Sequence, residues 1–268
     1  MASAESSFER ALQALDDGDL SAAWRAAEAG LAESRRAGED ERARVPGLYV
    51  LAAVHAERGE DDAALALLDR VLTLDPGHGD AAYLHARLHL ARWDFEEVER
   101  QLASRPERDT DAAMLHLRAT ALELRGEQAA ADRLYRLAAR LDPENFPAPV
   151  RISDDEVHAL VEETIASMPR EVVATFANMS VDLWQVPDPA LHGDVDPEIL
   201  GLYAGTPVGE PGDPGMPLPA RVYLFKRNIE RIAFDREELI EQLRITLLHE
   251  LGHHLGLDED DLEERGLG

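Results

Sequence analysis

The sequence predicts a mainly α-helical protein in two parts, a helical repeat array followed by a small domain of mixed helices and strands. Apolar residues form 45% of the chain but aromatic residues only 5%, so Ala and Leu dominate and favour closely packed helices. The 268 residues also exceed one typical domain. Composition and length together therefore favour two domains that are mainly α-helical.

A pattern recurs along the first half of the chain. Gly59 and Gly126 each lie in a short turn between Ala- and Leu-rich helical runs. The Leu-Asp-Pro triplet at 74–76 recurs at 141–143, 67 residues later. This offset is close to twice the 34-residue tetratricopeptide period, so each interval contains two repeats.

Two further turns, at Gly18 and Trp93, complete an array of about four helical hairpins. Residues 1–145 therefore resemble a tetratricopeptide α-solenoid, although most aromatic positions of the consensus are absent. A generic array of helical hairpins is the alternative. The resemblance implies a surface that binds a protein partner or a substrate.

The two prolines in the run 147–149 interrupt the helical pattern, so a second domain is predicted at 150–268. Residues 181–186 and 221–225 have the composition of strands. The Pro- and Gly-rich passage between them, 187–219, is predicted to be a long irregular loop. The second strand is either an edge to which an extended peptide substrate pairs or an interior strand of a small sheet.

A long helix is predicted after Asp235, and the motif HELGHHLGLDE, which begins at His249, lies on it. On a helix, His249 and His253 are one turn apart on the same face, so both imidazoles can reach one Zn²⁺. Glu250 is rotated off that face and can act as general base toward a water molecule that zinc activates. The motif therefore predicts a zinc-dependent hydrolase.

The third zinc ligand is predicted just after this helix. Gly256 can adopt the left-handed conformation that ends a helix, which lets the chain turn back toward the metal. The spacing H-E-x-x-H-x-x-G-x-x favours Glu259, while Asp258 and Asp260 are the alternatives. Metzincin-like proteases share this spacing but have a methionine turn after the third ligand, and no methionine follows Met216 here.

The run from LGLYAGTP through RVYLFKRNIERI to RITLLHELGHHLGLDEDDLEERG resembles the minimal zincins, small bacterial proteins described as possible zinc metallopeptidases. The likeness covers 150–268 and keeps the family's order of strand, turn at 226–228, long helix and acidic tail. It implies a zinc site made of two histidines and a carboxylate. Tyr203, Arg227 and Arg231 are candidates for stabilising an oxyanion.

Composition limits the partners and the ligand types. The net charge of −27 repels phosphate backbones and anionic membranes, so neither nucleic acid nor membrane binding is expected, whereas a cationic protein or peptide is favoured. The absence of cysteine excludes disulfides and thiolate zinc ligands. The opening residues lack the pattern of a signal peptide, so a cytoplasmic location is expected.

These observations predict a zinc-dependent metallopeptidase with a peptide or protein substrate. The alternatives are a repeat-containing adaptor whose zinc domain is structural or catalytically idle, and hydrolysis of a non-peptide amide. His85 and His89 have the same spacing as the predicted ligands but no adjacent glutamate, so they are predicted to be ordinary surface or packing residues. His254 is assigned a packing role or one that supports the ligands.

Overall fold

The computed structural model describes residues 3–191, 195–208 and 220–267. These residues form thirteen α-helices and one three-stranded sheet, which confirms the predicted mainly α fold with a small α+β part. The chain divides into two compact units, Met1–Arg108 and Asp109–Gly268. No helix in the described part of the chain combines the length and the apolar composition that a membrane span requires.

The first unit consists of three helical hairpins. Its helices are α1 (Ala4–Asp16), α2 (Leu20–Ala37), α3 (Val45–Glu57), α4 (Asp61–Leu74), α5 (Gly79–Ala91) and α6 (Phe95–Ala103). Small side chains lie where helices meet, and Ala23, Ala27 and Ala64 are fully buried. Because alanine adds little bulk, the helix backbones can approach each other closely, as predicted from the composition.

The turns of these hairpins contain a residue in the left-handed conformation. Gly18 and Gly59 have φ angles of 76° and 70°, and Trp93 has a φ of 61° at the corresponding place in the third hairpin. Asp94 follows that tryptophan and caps α6 by accepting a hydrogen bond from the backbone nitrogen of Glu97 at 3.2 Å. The turns predicted at these positions are confirmed.

The second unit begins with a fourth hairpin, α7 (Ala112–Leu124) and α8 (Gln128–Leu141), which turns at Gly126 with a φ of 81°. The predicted domain limits, 1–145 and 150–268, divide the chain at the proline linker instead. The compact units differ from that division because this last hairpin packs with the C-terminal part of the chain. The limits 1–145 and 150–268 describe the repeat array and the domain that follows it, and they remain a prediction.

A buried ion network joins this hairpin to the C-terminal part of the same unit. The fully buried carboxylate of Glu123 accepts hydrogen bonds from Arg151 at 2.6 Å, Arg231 at 3.0 Å and Arg227 at 3.3 Å. The hydroxyl of Tyr135 donates to the same carboxylate at 3.1 Å. One buried anion is thus held by three guanidinium groups that come from outside the hairpin.

The rest of the second unit surrounds a small sheet. Its elements are α9 (Asp154–Ala166), α10 (Arg170–Val173), β1 (Ser180–Trp184), β2 (Gly201–Ala204), β3 (Arg221–Phe225), α11 (Lys226–Ile232), α12 (Arg236–His254) and α13 (Glu259–Glu263). The strand order is β1-β3-β2, with β1 parallel and β2 antiparallel to β3. The strand predicted at 221–225 is therefore interior, and its alternative assignment as the edge strand is wrong.

The strand β2 was not predicted. Gly201–Ala204 lies inside the passage 187–219 that the sequence predicts to be irregular. Four residues flanked by turn-forming residues are too few to show the alternating pattern of a strand. This strand forms because it pairs with β3, with Gly201 opposite Leu224 and Ala204 opposite Arg221. Residues 192–194 and 209–219 of the passage lie outside the described residues.

The core of this unit lies between α12 and the sheet. Asp235 begins α12 as predicted, because its carboxylate accepts hydrogen bonds from the backbone nitrogens of Glu237 and Glu238 at 2.8 and 2.9 Å. Four leucines of α12 cluster with Val222 and Leu224 of β3, and none is more than 3% exposed. They are Leu239, Leu243, Leu247 and Leu251. This apolar packing fixes α12 beneath the sheet.

Candidate metal centre

The last two turns of α12 bring His249 and His253 together. Their ring centroids are 4.6 Å apart, and the two Nε2 atoms face each other at 3.0 Å. Both rings are half-buried. The one-turn spacing therefore brings two imidazole nitrogen atoms close enough to bind one metal ion, as the helical geometry predicts.

Backbone carbonyls fix the orientation of both rings. The Nδ1 of His249 lies 2.7 Å from the carbonyl oxygen of Leu267, and the Nδ1 of His253 lies 3.2 Å from that of Leu257. A carbonyl oxygen can only accept, so each Nδ1 carries the hydrogen and each Nε2 keeps a free lone pair. This is the tautomer that a metal-binding histidine requires, held by the kind of partner such histidines have.

The chain turns back after α12 and delivers Glu259. Gly256 adopts a φ of 82°, and α13 begins three residues later. The carboxylate oxygens of Glu259 lie 3.4 Å from the Nε2 of His253 and 3.8 Å from that of His249. Asp258 instead caps α13 by accepting from the backbone nitrogen of Asp261 at 2.9 Å.

The geometry of these three residues fits a zinc ion. In the described residues, His249, His253 and Glu259 each offer a ligand atom within 4.8 Å of the other two, and Asp260 is not part of that group. Ligands at 2.0–2.1 Å on a tetrahedral zinc are separated by about 3.3 Å. The observed separations of 3.0 to 3.8 Å bracket that value. The donor set, two imidazoles and a carboxylate, is also one that zinc accepts.

Glu250 lies beside the ligands but does not belong to the group. It is only 7% exposed, and the backbone N–H of Tyr203 in β2 donates a hydrogen bond to its carboxylate. Burial raises the pKa of this carboxyl to about 7, although the neighbouring His249 and the hydrogen bond from Tyr203 lower it. A carboxyl group with a pKa near neutrality can both take up and release a proton.

A cavity of about 530 Å³ opens onto these groups. Its lining includes Gly201 and Tyr203 of β2 together with His249, Glu250 and Glu259. A Cβ atom at Gly201 would lie 2.7 Å from a carboxylate oxygen of Glu250, so only glycine leaves that carboxylate in place. Gly201 was not identified from the sequence as a residue of the site. The short apolar run that follows it, residues 202–204, was the signal for a strand at this place.

The candidates for stabilising an oxyanion separate into two groups. Arg227 and Arg231 belong to the ion network around Glu123, with Arg227 also 2.9 Å from Asp132. Neither arginine lines the cavity. Tyr203 does line it, and its hydroxyl lies 3.1 Å from the Nδ1 of His254. Of the three candidates, only Tyr203 lies beside the candidate metal ligands.

His254 is buried behind the ligands. Its Nε2 lies 3.2 Å from the carbonyl oxygen of Thr175, and its ring packs against Phe176 and Tyr203. These contacts agree with the packing or supporting role predicted for it. His254, the last residue of α12, therefore packs between Tyr203 in the cavity wall and residues 175–176.

Comparison with known protein families agrees with this architecture. Residues 176–268 match the family model described as zincin-like metallopeptidase, and residues 55–121 match a tetratricopeptide repeat model. Residues 176–268 therefore carry a zincin-like metallopeptidase domain, and tetratricopeptide repeats precede it at 55–121, which confirms both predicted resemblances. The search of curated proteins found no match to this chain.

Proposed function

We propose that the C-terminal domain is a zinc-dependent peptidase in which His249, His253 and Glu259 hold the metal and Glu250 is the general base. The observation that carries this proposal is the meeting of three ligand atoms and a buried carboxylate at one cavity. A purely structural zinc site needs neither a cavity nor a buried carboxylate beside its ligands. These two features favour the enzyme over an adaptor with an idle zinc domain.

The chemistry divides between the metal and the protein. When bound, zinc supplies Lewis-acid polarisation of the substrate carbonyl and lowers the pKa of a coordinated water. Glu250 takes one proton from the attacking water, whose oxygen adds to the carbonyl carbon. As the C–N bond breaks, the same carboxyl group returns a proton to the leaving nitrogen. The burial of Glu250 assists both transfers because bulk water does not compete for its carboxylate.

The edge strand β2 supports a peptide as substrate. Among the described residues β2 ends the strand order, and its residues from Gly201 to Tyr203 line the cavity. An extended peptide can pair its backbone with such an edge, which would carry a scissile carbonyl past the ligand atoms. A small non-peptide amide has no backbone to pair and would lose this contribution to binding.

The repeats are proposed to bind a cationic peptide or protein segment. A groove of about 570 Å³ in the first unit is lined by the carboxylates of Asp16, Glu57 and Asp80, by the ring of Tyr49 and by one arginine, Arg87. The excess of carboxylates matches the net charge of −27 and favours a positively charged occupant. Such binding would attach a substrate protein to the same chain as the peptidase domain.

The test compares metal content and peptide cleavage in the full chain and its variants. His253→Ala should lose one equivalent of zinc and all cleavage of an unstructured peptide library. Glu250→Gln should keep the zinc and lose about 10²- to 10⁴-fold in kcat, the usual contribution of a general base. Glu264→Gln, an exposed carboxylate just past α13, is the matched control and should change neither quantity.

Two results would contradict the proposal. If the zinc content of His253→Ala equals that of the parent, the metal does not lie at these residues. If zinc is present but the parent cleaves no peptide in the library, the adaptor alternative replaces the peptidase.

A further inference from the structure

A second cluster of metal-ligand side chains lies in the third repeat hairpin. His85 and His89 project from α5, and Glu97 projects from α6. In the described residues, each of the three offers a ligand atom within 4.8 Å of the other two. His85 is 3% exposed and Glu97 is 9% exposed, so both are buried, while the side chain of His89 is 20% exposed. Buried groups of this kind are normally paired or bound to an ion.

Each histidine of this cluster is anchored by a carboxylate on one side of its ring. The Nε2 of His85 lies 3.2 Å from Asp69, and the Nδ1 of His89 lies 3.1 Å from Asp94. A carboxylate accepts the ring N–H, which leaves the lone pair on the other nitrogen of each ring. Carboxylate-anchored imidazoles of this kind are the usual partners of a bound metal ion.

The free nitrogen of His85 is otherwise unexplained. Its Nδ1 is buried and has no hydrogen-bond partner among the described residues. Leaving a buried polar atom unpaired costs about 1–3 kcal/mol. A packing role, as predicted from the sequence, does not account for a polar ring at this place, because any apolar side chain would avoid that cost.

The preceding repeat provides an internal comparison. The left-handed turn residues Gly59 and Trp93 fix the register between the two hairpins at the tetratricopeptide period. In that register the preceding hairpin has Leu51, His55 and Ala63 where the third hairpin has the cluster residues. His55 keeps the same contact as its counterpart, since its Nδ1 pairs with Glu60. Both hairpins thus have the anchored histidine, His55 in one and His89 in the other. Of these two hairpins, only the third has the second imidazole and the buried carboxylate.

We propose that His85, His89 and Glu97 form a second site for a divalent transition-metal cation of the zinc type, separate from the peptidase centre. Two imidazoles and one carboxylate suit zinc better than the hard cations calcium and magnesium, which prefer oxygen ligands. The ligands come from both helices of the hairpin, so the bound ion cross-links α5 and α6. Its role is structural, and its binding energy stabilises the folded repeat.

The present contacts of Glu97 do not block this site. Its carboxylate pairs with Arg100 and accepts a hydrogen bond from Gln101 at 2.8 Å. The Arg100 side chain is 72% exposed and can return to water at little cost. The carboxylate can therefore turn from an exposed guanidinium to a buried cation.

The experiment uses the full chain with His249→Ala and His253→Ala, which removes the peptidase metal site. After removal of metal with a chelator, Zn²⁺ is titrated back, and Co²⁺ replaces it for absorption spectroscopy. This background should bind one equivalent and show a higher Tm with zinc than without. Adding His89→Gln or Glu97→Gln should weaken binding at least 10-fold and abolish the gain in Tm. Because the assay reads binding and Tm, its outcome does not depend on peptidase activity.

The matched control is His55→Gln in the same background. It removes a carboxylate-anchored histidine at the same repeat position without touching the cluster, so zinc binding should be unchanged. Helix content by circular dichroism, measured with chelator present, shows whether each variant is folded before zinc is added. Absence of zinc binding in the background, or equal affinity in His89→Gln, would overturn the proposal.

Discussion

Two regions of this protein each contain a pair of histidines four residues apart, but the surroundings of the two pairs differ. In α12 and in α5 the paired rings have centroids 4.6 Å apart, and a glutamate from the following helix completes each cluster. The α12 cluster lines a cavity with Glu250 beside it. In the α5 cluster His85 and Glu97 are buried and His89 is half-buried, and α5 has no glutamate beside its histidines. Spacing thus brings the histidines together, while the surroundings determine whether a metal bound there could reach a substrate.

The two regions also anchor their histidines differently. Backbone carbonyls hold His249 and His253, whereas the carboxylates of Asp69 and Asp94 hold His85 and His89. A carboxylate partner makes the imidazole a stronger donor, which suits a permanent structural ion.

The largest effect should come from Glu123→Ala, which removes a fully buried carboxylate from the unit that contains the α12 cluster. Three guanidinium groups would lose their common partner, and the expected loss in free energy of unfolding is about 3–5 kcal/mol. Urea denaturation measures it. Glu127→Ala is the control, because its contact with Arg125 is exposed and should contribute less than about 1 kcal/mol. Equal losses in both variants would mean that the network does not stabilise this unit.

Gly201→Ala should separate catalysis from metal binding at the α12 cluster. The added Cβ would lie 2.7 Å from Glu250 Oε1 and would displace that carboxylate, while the three ligands remain in place. A displacement of about 1 Å in a catalytic group can lower kcat by about 10²-fold. Steady-state kinetics together with zinc analysis test this. Loss of zinc in the variant would show that β2 supports the ligands as well as the base.

Gly252→Ala should weaken the metal site itself. Its Cβ would lie 2.4 Å from Leu262, whose packing holds α13 against α12, so α13 and its residue Glu259 would shift. We expect zinc affinity to fall about 10- to 100-fold, as when supporting residues of a metal site are lost. Adding Leu262→Ala makes room for the new methyl group and should restore part of the affinity. Unchanged affinity in the single variant would argue against Glu259 as a ligand.

The smallest effect concerns His116, a half-buried histidine that belongs to neither cluster. Burial, with a smaller contribution from Arg231, lowers its pKa to about 4. The unfolded chain therefore binds more protons than the folded chain between pH 4 and 6.5, so stability falls as the pH decreases through that range. Between pH 7 and 5 the loss should be at most about 2 kcal/mol.

His116→Phe removes this titration and should reduce the acid dependence. The substitution keeps an aromatic ring between Tyr135 and Phe146, which the histidine contacts now. Urea denaturation at pH 7 and pH 5 measures the difference for both proteins. An acid dependence that is the same in parent and variant would mean that His116 ionises without cost.

The sequence alone determined the helical hairpins, their turns at Gly18, Gly59 and Trp93, and the helix that holds His249 and His253. Each of these depends on residues that are close together in the chain. Apolar periodicity, turn chemistry and the one-turn spacing of two histidines can all be recognised over short stretches.

Tertiary structure alone decided where β2 lies, because this short strand exists only through its pairing with β3. It also decided which side chains meet. Arg227 and Arg231 pair with the buried Glu123 and do not line the cavity, and the Nδ1 of His85 has no hydrogen-bond partner among the described residues. These contacts join residues far apart in the chain. A single sequence carries no local signal for such contacts, since only packing of the apolar core brings the partners together.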